Sequence, residues 1–172
     1  MKNNNIKWGI IGLGKIAHKF ATDLASTENV TLVAVASRSQ QNAEEFAEKY
    51  QVKKAFNSYI DLAIDPTIDA VYIATPHSFH KEHTILCLQN KKAVLCEKPF
   101  AMNLREVEEM IAIAKHNNVL LMEALWTFFL PHFRYVLDIV KNKKFGNLKN
   151  LEADFGFYTP YNTESRLFKK EV

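Results

Sequence analysis

At 172 residues, 48% of them apolar and 24% charged, the chain has the composition of an ordinary globular protein, long enough for one domain with a solid core or for one domain and part of a second. The net charge of +3 is small and scattered, with no basic patch interleaved with aromatics, which argues against a nucleic-acid partner. The opening Met-Lys-Asn-Asn-Asn holds no signal-peptide run, and the longest apolar stretch, Val119 to Leu130, is broken by Glu123 and too short for a bilayer, so a cytoplasmic protein without a membrane partner is expected.

The segment from Ile6 to Ala17 reads as an apolar strand running into a glycine turn and then a helix from Lys15 to about Ser26. Gly12 and Gly14 stand where a side chain would block a tight turn or the close approach of a pyrophosphate, and Ala17 takes the small packing position. The backbone of Gly12, Leu13, Gly14, Lys15 and Ile16, at the positive end of the helix dipole, is the expected cradle for a dinucleotide. A second apolar strand, Thr31 to Ala36, follows roughly 20–25 residues on, the context that such a fingerprint requires.

That strand ends in Ser37, Arg38 and Ser39, where a site selective for NAD usually places an acid to bind the ribose 2′-hydroxyl. A guanidinium holds a 2′-phosphate through two charge-assisted hydrogen bonds, and serine hydroxyls add to it, so the expected cofactor is NADP, with NAD still open. Asn42 to Tyr50 is expected as a helix with Ala43, Phe46, Ala47 and Tyr50 on its buried stripe, followed by a short strand from Lys53 to Phe56 and a helical turn near Tyr59.

Asp69 to Ala74 reads as a buried strand delivering Thr75 and Pro76 beside the glycine turn, with a helix from His77 to Asn90 after it. His77, His80 and His83 share helical spacing, but no thiol or carboxylate completes a metal set, so single contacts to cofactor or substrate are expected and no metal. Cys87 and Cys96 read as buried thiols. Ala93 to Cys96 is a further strand, delivering Glu97-Lys98-Pro99 to the same edge. Pro99 holds the preceding lysine in extended backbone, and a partly desolvated Lys98 beside a carboxylate can bond a reacting hydroxyl or carbonyl oxygen and help move its proton.

Asn103 caps a helix running to about His116, with Glu106 at the capping-box position and Leu104, Val107, Ile111 and Ala114 as its apolar stripe. Val119 to Met122 is the next strand, and Trp126, Phe128, Phe129 and Phe133 follow on the ligand side, as substrate pocket or as packing between domains. After a helix from Pro131 to Lys143, the alternation from Leu148 to Tyr158 reads as one strand of a new antiparallel sheet. One strand makes no domain, because its edges stay unpaired; pairing with another copy of the chain is one way to complete it.

Together these segments resemble the Gfo/Idh/MocA oxidoreductases. The resemblance rests on Trp8-Gly-Ile-Ile-Gly-Leu-Gly-Lys-Ile-Ala17, Ala36-Ser-Arg38, Ala74-Thr-Pro-His77 with His80, Cys96-Glu-Lys-Pro99, and Met122-Glu-Ala-Leu-Trp126 followed by Pro131. The last of these looks most like the NADP-using branch that contains dihydrodiol and D-xylose dehydrogenases. The resemblance implies an α/β Rossmann domain with a doubly wound parallel sheet over residues 1–125, then, over 126–172, a linker helix and the first strand of a truncated α+β substrate domain. It implies hydride transfer between a nicotinamide and a sugar or cyclic diol. Lys98 polarises the reacting oxygen, Gly12, Gly14, Ser37, Arg38 and Thr75 hold the cofactor, Glu97 lies near the nicotinamide ribose, and Pro76, His80 and Trp126 stand beside cofactor or substrate. Two departures stand out: Thr127, Phe128 and Phe129 replace a segment that often carries arginine, and family members are about twice as long, their second domain carrying a further catalytic residue. A dinucleotide-binding module without turnover, and a structural or regulatory subunit, are the alternatives.

Overall fold

The computed structural model describes residues 5–165 and 168; the extreme N-terminus and most of the tail of the expected second domain lie outside the described residues. Six parallel strands, β1 (Ile6–Ile11), β2 (Val30–Ala36), β3 (Lys54–Phe56), β4 (Ala70–Ile73), β5 (Ala93–Cys96) and β6 (Leu121–Glu123), form one sheet in the order β3-β2-β1-β4-β5-β6. This is the doubly wound order in which the chain leaves β1 toward one edge, returns, and builds the other half from β4 outward. Near-continuous apolar runs suit strands covered on both faces. In β1, Ile10 and Ile11 point to opposite sides; in β2, Val35 opposes Ala34 and Ala36; in β4, Tyr72 opposes Val71 and Ile73.

Helices α1 (Lys15–Ala25) and α2 (Gln40–Tyr50) cover one face through Ala17, Ala21, Phe46 and Ala47. On the other lie α3 (Tyr59–Ile64), α4 (His80–Gln89) and α5 (Leu104–Asn117), burying Leu62, Ala63, Cys87, Leu88 and Ala114. Both cysteines are free and buried, and burial raises each thiol to about 12, so they are inert packing groups. The cap expected at Asn103 forms, its side chain accepting from the Glu106 N–H while Glu106 reaches back to the Met102 N–H at 3.1 Å; Ser39 and Ser58, which the sequence reading did not single out, cap α2 and α3 in the same way, so α2 starts at Gln40 and not at Asn42.

The expected stripe of α5 needs correction. Leu104 is 71% exposed and Ile111 38%, whereas Met110 is fully buried and the contact runs through Met110 and Ala114. The sheet ends at β6 on that side, so the outer flank of α5 has nothing to cover.

Residues 127–172 form a second compact unit, distinct from 1–126. It contains α6 (Pro131–Lys141), with proline at its first turn. Among the described residues, 148–158 form no strand, contrary to the sequence expectation, and Leu151, Phe155, Phe157 and Tyr158 are exposed. Alternation creates a face, but a strand exists only where a neighbour takes up its N–H and C=O groups, and none of the described residues does so for this segment. No helix among the described residues is long and apolar enough to cross a membrane.

Candidate dinucleotide site

Main-chain hydrogen bonds carry the sheet ladder one step past the strand ends. Ser37 N–H donates to Phe56 O (3.1 Å), Gly12 to Ala36 O (3.1 Å), Ala74 to Ile11 O (2.8 Å), Glu97 to Ile73 O (3.0 Å) and Ala124 to Cys96 O (2.7 Å). Because all the strands run the same way, these bonds line up the segments carrying Arg38, Gly12, Thr75, Lys98 and Ala124 along one edge. The gap between β1 and β4, where the strand order reverses, lies at the centre of the row.

The two fingerprint glycines have different reasons to be there. Gly12 has φ of 87°, and a Cβ on it would lie 2.7 Å from the Thr75 nitrogen and 2.8 Å from the Ala74 carbonyl atoms, so glycine lets the β1 and β4 loops touch. Gly14 has an ordinary φ of −78°, and its Cβ would meet nothing within 4 Å. The space above it is open, and it starts α1, which no side chain caps and whose first turn carries no acid. The N–H groups of Lys15 and Ile16 are therefore left to an outside acceptor, the arrangement that binds a phosphate, while Leu13 packs its side chain against the core.

At the end of β2, Arg38 is exposed. Ser37 Oγ accepts from the Ser39 N–H (3.3 Å), and Ser39 Oγ accepts from the Asn42 N–H as the cap of α2 (3.3 Å), so one lone pair of each serine is already used. Facing Arg38 is an aromatic group of which the sequence reading singled out only His83. His83 packs edge-on against Tyr59 (4.7 Å between centroids) and stacks on Phe79 (5.8 Å). Its Nδ1 shares a hydrogen bond with Thr75 Oγ1 at 3.0 Å. Burial lowers the His83 pKa, and the charges of His80 and Arg38 act the same way against the opposing Glu82; burial raises the Tyr59 phenol against the pull of Arg38. Only the spacing of the histidines pointed here. Tyr59 arrives from another element, which no local pattern reveals.

The loop after β5 is held from three sides. The Tyr72 hydroxyl on β4 donates to Glu97 Oε1, His80 on α4 bonds the Pro99 carbonyl through Nδ1 (2.8 Å), and Glu123 at the end of β6 accepts from the Phe100 N–H (3.0 Å). His80 is 1% exposed, and its Nε2 bonds the Thr75 carbonyl at 2.9 Å. Both of its nitrogens are spent on main-chain carbonyls, so it staples the Thr75 and Pro99 loops together instead of contacting a ligand; a buried ring between two carbonyls has no polar atom left to offer. The three histidines therefore do not converge. Lys98 is exposed, not partly desolvated as expected, because its loop opens to solvent beyond the sheet. The neighbouring carboxylate takes the Lys98 main-chain N–H on Oε2 (3.2 Å) and forms no ion pair with the ammonium. Pro76 and Trp126 are exposed, Trp126 at the start of a short 3-10 turn, Trp126–Phe129.

Comparison with known proteins agrees with this geometry. Residues 6–125 match the Gfo/Idh/MocA oxidoreductase family with its NAD-binding Rossmann fold. The chain is 42% identical over 168 residues to the trans-1,2-dihydrobenzene-1,2-diol dehydrogenase of Xenopus laevis, covering 96% of this chain and 50% of that protein. It is 44% identical over 154 residues to the mouse protein of the same name, covering 88% of this chain and 46% of that one. It thus spans about half the length of the curated relatives it matches. Among solved structures it is similar to a 3-ketoreductase from Actinomadura kijaniata in complex with TDP-benzene and NADP (TM-score 0.75, 30% identity, 81% of this chain and 44% of that one). It is also similar to apo scyllo-inositol dehydrogenase from Lactobacillus casei (TM-score 0.77, 28% identity, 85% of this chain and 44% of that one). With its doubly wound strand order, its uncapped glycine turn and a family match over most of its length, the chain belongs to the Gfo/Idh/MocA oxidoreductases.

Proposed function

We propose that this chain is the cofactor-binding half of an NADP-dependent dehydrogenase acting on a sugar or a cyclic diol, with residues 1–125 as the NAD(P)-binding domain and 126–172 as a linker helix leading into the substrate domain. The observation that carries the reading is the single row of loops: an uncapped helix start above Gly14 for the pyrophosphate, and Arg38, with no acid beside it in Ser37-Arg38-Ser39, at the ribose end. The names of the relatives, diol dehydrogenases and a ketoreductase solved with NADP, support it.

Bound there, the nicotinamide would supply or accept the hydride. Leu13, Gly14, Lys15 and Ile16 receive the pyrophosphate through main-chain N–H groups, Gly12, whose own N–H donates to Ala36, makes the turn that lets it approach, and Arg38 with Ser37 receives the 2′-phosphate. Thr75 and Pro76 border the gap between β1 and β4, and Glu97 takes a hydroxyl of the nicotinamide ribose. Lys98, free of any ion pair among the described residues, donates to the reacting oxygen and relays its proton. Trp126 borders the substrate. A cytoplasmic location fits two buried free thiols.

Titration with NADPH and NADH tests this. NADPH binds more tightly, and Arg38→Ala costs about tenfold or more in NADPH affinity while leaving NADH nearly unchanged. Equal losses for both would remove the 2′-phosphate assignment.

A second reading, a structural subunit that joins another copy through 148–158, draws on the exposed apolar side chains of that segment. Sizing of the full chain against one ending at Trp126 tests it.

A further inference from the structure

Tyr72 is 2% exposed, in the layer between the sheet and α1, and its ring stacks on Phe20 of α1 with centroids 3.9 Å apart and planes at 16°. Phe20 is in turn met edge-on by Trp8 of β1 at 5.5 Å. Valine or isoleucine would fill an apolar position of β4 without difficulty, whereas a phenol there needs an acceptor. The acceptor is Glu97 Oε1, one residue past the end of the neighbouring strand β5: Tyr72 pairs with Leu95, and Glu97 stands two residues beyond it. The second oxygen accepts from the Lys98 N–H, so both oxygens of the carboxylate are held and its orientation is set before any ligand arrives. Burial, with the Glu97 carboxylate beside it, pushes the phenol far above its ordinary pKa, so it remains a donor throughout the working range. Each carboxylate oxygen keeps a lone pair for a further donor.

We propose that Tyr72 is a positioning residue of the cofactor site: its hydroxyl presets the Glu97 carboxylate to receive the nicotinamide ribose, while its ring ties that carboxylate to α1, whose first turn faces the pyrophosphate. The proposal rests on reading the glycine turn as a nicotinamide dinucleotide site. It assigns a buried core residue to one half of the ligand. Loss of the hydroxyl releases the carboxylate without disturbing the pyrophosphate cradle or the Arg38 end.

The test is a titration of the whole chain with NADPH and with adenosine 2′,5′-bisphosphate, which lacks the nicotinamide ribose. Tyr72→Phe keeps the stack on Phe20 and removes only the hydroxyl. It weakens NADPH about tenfold and leaves the bisphosphate within about twofold, as expected for one hydrogen bond to a charged group. On a Glu97→Ala background the same change costs nothing further, because the group it positions is gone. Melting curves run alongside, and if Tyr72→Phe does not fold, Tyr72→Met fills the ring's place with an adaptable apolar side chain and carries the same comparison. Unchanged NADPH affinity, or equal loss of both ligands, overturns the positioning role while leaving the cofactor reading intact. Failure of the unaltered chain to bind NADPH removes the cofactor reading and the role of Tyr72 with it.

Discussion

Gly12 and Gly14 are indistinguishable as letters and opposite as physical objects. Gly12→Ala meets a left-handed backbone and three main-chain atoms inside contact distance, so it costs on the order of 3 kcal/mol and loosens the β1 and β4 loops together. Gly14→Ala meets ordinary backbone and open space, so its melting temperature stays within about 2 °C of the parent, yet NADPH binding is lost because the methyl stands where the pyrophosphate must approach. Melting curves and cofactor titrations of the two variants, side by side, check this. A Gly14→Ala protein that still bound NADPH would remove the pyrophosphate from that turn. Histidine shows the same divergence: His80 and His83 are three residues apart, yet one is spent on two carbonyls while the other builds a wall beside Arg38.

At the scale of elements, the far side of the sheet is tied by a polar knot. Asp65, at the end of α3, accepts from Lys54 of β3 (2.6 Å) and from the N–H and hydroxyl of Thr67 (2.9 and 2.7 Å). Lys92, just before β5, donates to the carbonyls of Asp65 (2.7 Å) and Ile68 (2.8 Å). Burial alone would raise the Asp65 pKa, but the Lys54 ammonium and the two Thr67 bonds outweigh it and hold the carboxyl at about 2, below its model-compound value of 3.8. A depressed folded-state pKa contributes stability in full above the unfolded value and loses it as the pH falls through the folded one. Because Lys54 is partly exposed, the contribution is roughly 1–2 kcal/mol. Asp65→Asn should therefore lower the denaturant midpoint at neutral pH. The gap from the parent closes as pH falls from about 4 toward 2, and a gap that persisted there would assign the loss to packing.

Among the described residues, the buried clusters draw only on those between Trp8 and Ala124, with both faces of the sheet filled from that span. A chain ending at Trp126 should melt within a few degrees of the full one and bind NADPH equally, because nothing in its core is removed. If 148–158 pair between copies, sizing of the full chain shows association that rises with concentration and vanishes in the shortened one. A full chain that stays monomeric removes the oligomer reading. A large drop in melting temperature on shortening would mean that residues 127–172 support the domain.

Much of this architecture was legible in the residues alone. Runs such as Val33 to Ala36 and Ala70 to Ile73 are hydrophobic enough to be buried on both faces, and Asn103 caps through a bond only three residues long, so the strands, the start of α5 and the glycine turn follow from local chemistry. The stripe of α5 and the strand at 148–158 did not follow, because burial and pairing depend on what lies opposite, and local alternation is silent about that. The same holds for the network behind the Lys98 loop. The Glu-Lys-Pro motif identified the loop, but Tyr72, His80 and Glu123, which hold it, lie 25, 19 and 23 residues from their partners. Parallel strands bring such groups together only after the crossover helices have folded over the sheet, so tertiary structure alone decided which residues hold the site in shape.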